Sequence, residues 1–164
     1  MMRARKRRRL LLALLVALTL LLGSPSRAPA PPVADVLAVG EVAFCLNTAL
    51  LAQLVSAEAR GEPLEGQIAV ANVVLNRVRS PLFPDTIHAV IYQAGQFCAA
   101  ALLPKLPTES AWRAAHMAMA GVRVVGEDVL FFFNPRTAGC GWIRTREVAQ
   151  TIGRHRFTLA QRGR

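Results

Sequence analysis

The chain has 164 residues, a length that suits one domain, and 53% of them are hydrophobic, enough to bury a sizeable core. Its formal net charge is +10, but six of its 20 basic residues stand among the first nine positions. Past residue 26 the balance is 14 basic against 10 acidic residues, only mildly positive, and no Lys/Arg block marks a nucleic-acid footprint. Cys45, Cys98 and Cys140 show no Cys-x-x-Cys and no close Cys/His spacing, which speaks against zinc, and no metal or other cofactor is expected.

In chain order, the basic head Arg3–Arg9 is followed by an apolar run, Leu10 to Leu22, broken only by Thr19, and then by Gly23-Ser24-Pro25-Ser26. This is the pattern of an export signal, and thirteen residues fall short of the ~20 a comfortable membrane span needs. Residues 1–30 therefore read as an export signal or an N-terminal anchor, 31–44 as a linker and lead-in, and 45–164 as the folded domain. Contact with a membrane is expected only through an uncleaved leader.

A first helix is expected from Cys45 to Arg60, where Leu51, Leu54, Val55 and Glu58 share one stripe and Gly61 and Pro63 stop it. A second runs from Leu64 to Arg79 and is apolar on most sides, the mark of a central buried helix. Its polar exceptions, Glu65, Asn72, Asn76 and Arg79, form one stripe whose groups either line a cleft beside Glu58, or cap loops or pair among themselves. Asp85 is placed to cap a short helix through Ile91, and residues 93–107 read as loop. Thr108 caps a further helix with Ala111, Trp112, Ala115 and Met119 on its buried face. Val129–Phe133 is β-prone; Trp142-Ile143 and His155–Leu159 are further strand candidates, with a short helix ending at Gly153 between them. Helices first and a small antiparallel sheet afterwards make an α+β domain.

Chemistry narrows to a carboxylate. No Gly-x-Ser-x-Gly elbow, no Gly-x-Gly-x-x-Gly and no His-Glu-x-x-His is present, and His88, His116 and His155 are far apart. Glu58 sits where a helix meets its end, aimed along an apolar stripe at the negative end of the helix dipole. Both effects disfavour its charged form, so it is placed to hold a proton and act as a general acid. An ordinary surface Glu in a last helical turn satisfies the same spacing.

Residues 57–71 (AEARGEPLEGQIAVA), Val74-Leu75-Asn76-Arg77-Val78, Phe83-Pro84-Asp85-Thr86, Gly95-Gln96-Phe97, Phe132-Phe133-Asn134-Pro135, Trp142 and Ile152–Phe157 together resemble the SleB-type cell-wall hydrolases, which include the spore cortex-lytic enzymes. The resemblance covers about residues 48–158. It implies a lysozyme-like helical lobe followed by a small antiparallel sheet, a groove for peptidoglycan glycan strands, and cleavage between N-acetylmuramic acid (MurNAc) and N-acetylglucosamine (GlcNAc). It also implies that Glu58 is the catalytic acid and that one carboxylate can serve as acid and then base in a lytic transglycosylase. A hydrolytic muramidase and a non-catalytic glycan-binding envelope protein are the alternatives.

Glu62, one turn on, is placed to orient Arg60, to stabilise the loop or to act as a second carboxylate. Asn76, Gln96 and Asn134 are candidate donors to N-acetyl groups and sugar hydroxyls, and Phe97 and Trp142 candidate platforms for sugar faces; each position fits core packing or turn bonding equally well. Cys98 and Cys140 lie in segments placed beside the groove and are the candidate disulfide, three buried thiols being the alternative. Ser56 replaces an aromatic common in relatives, Ala94 a proline, and Cys98 a hydroxyl residue, so the subsite beside the acid is expected to differ in shape. The expected state is a monomer acting in the periplasm or cell wall.

Overall fold

The computed structural model describes residues 33–97, 103–104, 106–139 and 141–160. The leader, Cys98 and Cys140 lie outside the described residues, so the proposed disulfide does too. The chain divides into two units, residues 1–37 and 38–164. Of the first only residues 33–37, the opening turn of a helix, are described; the second carries the domain.

Helix α1 spans Val33–Glu58, starting well before the expected Cys45. The reason is local: no proline stands between Pro32 and Pro63, and the intervening Ala, Val and Leu residues offer nothing to break a helix. From Val33 on, the lead-in is helical. Val39, Val42 and Leu46 are exposed, whereas Leu51, Leu54 and Val55 are wholly buried. The stretch Leu37–Glu58 is long and apolar enough to cross a membrane. Its second half, however, is walled in by the rest of the domain, as a core helix must be.

Helix α2, Leu64–Arg79, is the axis of the domain, and every residue from Gly66 to Arg77 is buried. Burying a Val or Leu side chain contributes roughly 1.5–3 kcal/mol, and Val70, Val73 and Val74 are completely enclosed. The helix ends at Ser80, extended as the residue before Pro81 must be. Helix α3, Ile87–Ile91, packs on α2, and its cap is Thr86 rather than Asp85: Oγ1 accepts from the Ala89 amide at 3.1 Å. Helix α4, Glu109–Met119, starts at Thr108 as expected. Its buried face is Ala111, Ala114, Ala115 and Ala118, while Trp112 stays exposed and Met119 half-buried. An alanine face allows the close approach of α4 to α2 that a tryptophan would prevent.

Strands β1 (Val129–Phe133), β2 (Val148–Ile152) and β3 (His155–Leu159) form an antiparallel sheet in the order β1-β3-β2. The α+β class expected from the sequence is the one observed. Two local expectations fail. Trp142-Ile143 belongs to a one-turn helix, α5 (Gly141–Arg144), whose Arg144 donates to the carbonyls of Pro135 and Ala138. The helix expected before Gly153 is strand β2, because Val148, Thr151 and Ile152 are β-branched and Gly153-Arg154 turns the chain tightly into β3.

The polar stripe of α2 braces a loop. Asn72 donates to Val122 O and accepts from the Val124 amide; Asn76 donates to Gly126 O at 2.8 Å and Val129 O at 3.0 Å and accepts from Arg123. Both side chains are fully committed to the segment that leads into β1. Asn76 therefore has no amide group left for a glycan, and it lies twelve residues, about 18 Å along the helix axis, from the start of α2 at Leu64.

Candidate active site

Glu58 is the last residue of α1 and is half-buried, with its Oε1 shielded from solvent. The Ala59 amide closes the final turn on Val55 O at 2.9 Å. Two residues before Glu58, the buried Ser56 accepts from the Thr108 amide at 3.2 Å, tying the end of α1 to the start of α4. The chain then reverses through Gly61, whose φ of +76° lies in the left-handed region that favours glycine.

Glu62 is not a second free carboxylate. Its side chain is 2% exposed and ion-paired to Arg154, whose Nε donates to Oε1 at 2.6 Å. The Arg154 backbone amide donates to Oε2 at 2.9 Å, and Arg154 Nη2 reaches Arg60 O at 3.1 Å. Gln67 Nε2 donates to Glu62 O at 2.9 Å, and a Cβ on Gly153 would collide with Glu62 Oε2. The β2–β3 turn is thus latched onto the loop that follows Glu58. Of the three roles open to Glu62 in the sequence, the geometry fits loop stabilisation.

The electrostatics follow from this latch. Burial opposes ionisation of Glu62, but the hydrogen bonds from Arg154, with the charges of His155 and Arg154, outweigh it and hold the carboxyl below its ordinary value. His155 is buried beside Phe132 and Phe157, and burial, with the Arg154 charge, lowers its pKa against the pull of Glu62. Arg77 is buried among Phe83, Phe97 and Phe131, its guanidinium carbon 4.9, 5.0 and 5.3 Å from their centroids, and Nε donates to Leu130 O at 2.8 Å. Burial pushes its pKa down to about 10, so it stays charged at neutral pH.

The remaining candidates divide. Phe97 is buried against Arg77 and Phe132 and is a core residue rather than a sugar platform. Gln96 is half-buried in a turn whose amide donates to Gln93 O at 3.2 Å. Asn134 folds back on itself, Oδ1 accepting from the Arg136 amide at 2.9 Å. Trp142 is 53% exposed, with Arg146 over its ring at 5.1 Å and Phe131 edge-on. Cys45 is an exposed free thiol, not a buried one. A cavity of about 550 Å³, lined by Asn76, Arg79, Glu127 and Asp128 among others, lies at the opposite end of α2 from the Glu58 loop. Among the described residues, no cluster of three or more His, Cys, Asp or Glu is placed to hold a metal ion. Sequence reasoning missed Arg154 and Arg77. The sign available for Arg154 was its place after Gly153 in a tight turn; for Arg77 it was a cation on the last turn of a helix apolar on most sides.

A helix ending at Glu58, and a loop that Glu62 and Arg154 latch to a small antiparallel sheet, lie within one α+β domain. Residues 61–158 match the family described as Cell Wall Hydrolase, and the chain belongs to that family. The match opens three residues past Glu58. The chain is 46% identical over 110 residues to the spore cortex-lytic enzymes of Oceanobacillus iheyensis and Bacillus subtilis, covering 66% of this chain and 40% and 36% of those proteins. It thus spans less than half the length of these curated relatives. Among solved structures it is similar to the catalytic domain of the germination-specific lytic transglycosylase SleB from Bacillus anthracis, with 41% identity and a TM-score of 0.65, covering 68% of this chain and 93% of that one. The catalytic domain of Bacillus cereus SleB is comparable, at 42% identity and a TM-score of 0.63, with 68% and 88% covered.

Proposed function

We propose that the protein is an exported enzyme that cuts the MurNAc–GlcNAc bond of peptidoglycan as a lytic transglycosylase, with Glu58 as both acid and base. The observation that carries this reading is the engagement of Glu62 by Arg154. With both Glu62 oxygens held, the acid chemistry of the Glu-Ala-Arg-Gly-Glu motif falls to Glu58. A two-carboxylate hydrolase needs a partner group for water or for a covalent intermediate. A transglycosylase does not. Glu58 gives its proton to the glycosidic oxygen as the bond to C1 breaks, and the resulting carboxylate takes the proton of the muramoyl 6-hydroxyl as that oxygen closes on C1. The product is a 1,6-anhydro end, no water is consumed, and the nucleophile is already tethered to the reacting carbon. The similar domain from Bacillus anthracis SleB belongs to a lytic transglycosylase, which supports this choice of reaction.

Digestion of purified peptidoglycan followed by fragment masses tests the reading. Anhydro-muramoyl ends, one water lighter than reducing ends, are expected. Reducing ends alone would make the enzyme a muramidase, the reading that the family's description as hydrolases favours. Glu58→Gln is expected to abolish cleavage while keeping the fold; a Glu58→Gln protein that still cuts would remove Glu58 from the chemistry. A binder without catalysis would release no fragments from either form. The leader is proposed to direct export and then be removed, leaving a monomer in the periplasm or wall.

A further inference from the structure

The mild positive charge of the mature chain is not spread evenly. From residue 129 to 160, the span of the sheet and α5, there are five arginines and one acid, Glu147. From 33 to 128, the helical part, there are nine acids and six basic residues. One part is therefore positive and the other negative, a polarity that the net figure hides.

The arginines are also placed alike. Arg156 lies on β3 between the inward-facing His155 and Phe157 and is paired with Phe133 and Thr151. It is exposed, on the face of the sheet opposite to that of His155 and Phe157. β1 ends at Phe133 and runs straight into the turn that holds Arg136, also exposed. Arg144 is exposed and anchored on that same turn through the carbonyls of Pro135 and Ala138. Arg146 lies over Phe131 at 4.3 Å and over Trp142. Arg154 is ion-paired to Glu62, whereas the hydrogen bonds of Arg144 and Arg146 go to neutral carbonyls. Beyond Arg154, four guanidinium charges stand in this part of the chain against the single carboxylate of Glu147, so positive charge is in excess whatever Glu147 pairs with. All are arginines, whose planar fork matches a carboxylate better than a lysine does.

We infer that the outer face of the sheet part is a docking surface for the carboxylates of peptidoglycan stem peptides, holding the wall while the Glu58 loop cuts it. This rests on the proposed peptidoglycan substrate. Stem peptides hang from the muramoyl sugar, the sugar whose bond is broken, so their acids flank the scissile linkage. The Arg154 latch fixes this part of the molecule to the Glu58 loop. A surface of one sign raises the local concentration of an oppositely charged polymer and loses its hold as salt screens it.

The test is binding, uncoupled from cleavage. The full chain carrying Glu58→Gln is sedimented with insoluble peptidoglycan, stripped of other anionic polymers, at about 20 to about 300 mM salt, a range that shortens the screening length several-fold. Binding is expected to fall about tenfold or more over that range, within the span of steered association. Adding Arg136→Glu and Arg156→Glu, neither of which has a described side-chain hydrogen bond, should weaken binding at low salt and flatten the salt dependence; a circular dichroism spectrum confirms the fold. Peptidoglycan whose stem carboxylates have been converted to neutral amides should behave towards the parent as native wall does towards the double variant. An unchanged salt slope in the double variant, or undiminished binding to amidated wall, would overturn the inference. So would capture by single-stranded DNA, a phosphodiester chain, in preference to wall. Fragment masses from the wild-type enzyme report on the glycosidase reading separately, so either can fail alone.

Discussion

At Glu62 a carboxylate has its charge fixed by its neighbours, and pH should expose this. Its folded pKa lies below the ordinary 4.5, so the stability it contributes is present above that value and is lost as pH falls through the folded pKa. His155 acts in the same direction from a higher starting point. Its folded pKa lies below 6.5, so the unfolded chain takes up the proton first and stability starts to fall once pH drops below 6.5. Thermal melts from pH 8 to pH 4 should therefore show a plateau above neutrality, a first decline below 6.5 and a second below 4.5. Glu62→Gln should lower stability at pH 7 by about 2 kcal/mol, the scale of hydrogen bonds to a charged group, because Arg154 stays half-exposed and keeps part of its solvation. It should also erase the lower of the two declines. A melt curve of unchanged shape would mean that the latch is not what holds the loop.

At the level of elements, α2 organises the rest, and its two asparagines show how. A polar stripe on a buried helix reads from sequence as either a cleft lining or a brace, since spacing puts the side chains on one side without saying what faces them. The structure gives the brace: Asn76 donates to one carbonyl just ahead of β1, Gly126 O, and to that of the strand's first residue, Val129. Asn76→Ala would take this donor from the buried Val129 carbonyl, while Gly126 O keeps the Val129 amide, and is expected to cost about 1–2 kcal/mol, read from chemical denaturation. A loss below about 0.5 kcal/mol would mean that water replaces the amide. What was legible follows the same logic. α2 and α4 carry helical periodicity over several turns, and β1 and β3 are rich in aromatic and β-branched residues; the structure has all four where the pattern puts them. α5 is a single turn, and β2 carries Ala149 and Gln150 at its centre, residues that favour a helix, so the sequence pattern exchanges the two. The place of Glu58 near a helix end was legible because a helix end is a local feature; the Glu62–Arg154 latch on the loop after it was not, because its other half lies in a distant hairpin.

For the molecule as a whole, β3 is the element on which the rest closes. It lies between the other two strands, and Phe157, wholly enclosed, is among its residues. A chain ending at Ile152 would lack this strand and Arg154 and should show no cooperative melt and release no wall fragments. A folded, active truncation would refute this role for β3. The latch joins residues 92 positions apart. During synthesis the loop after Glu58 leaves the ribosome 92 residues ahead of the side chain that fastens it. Under the proposed function, a cutter assembled in this order stays blunt until the β2–β3 hairpin swings home.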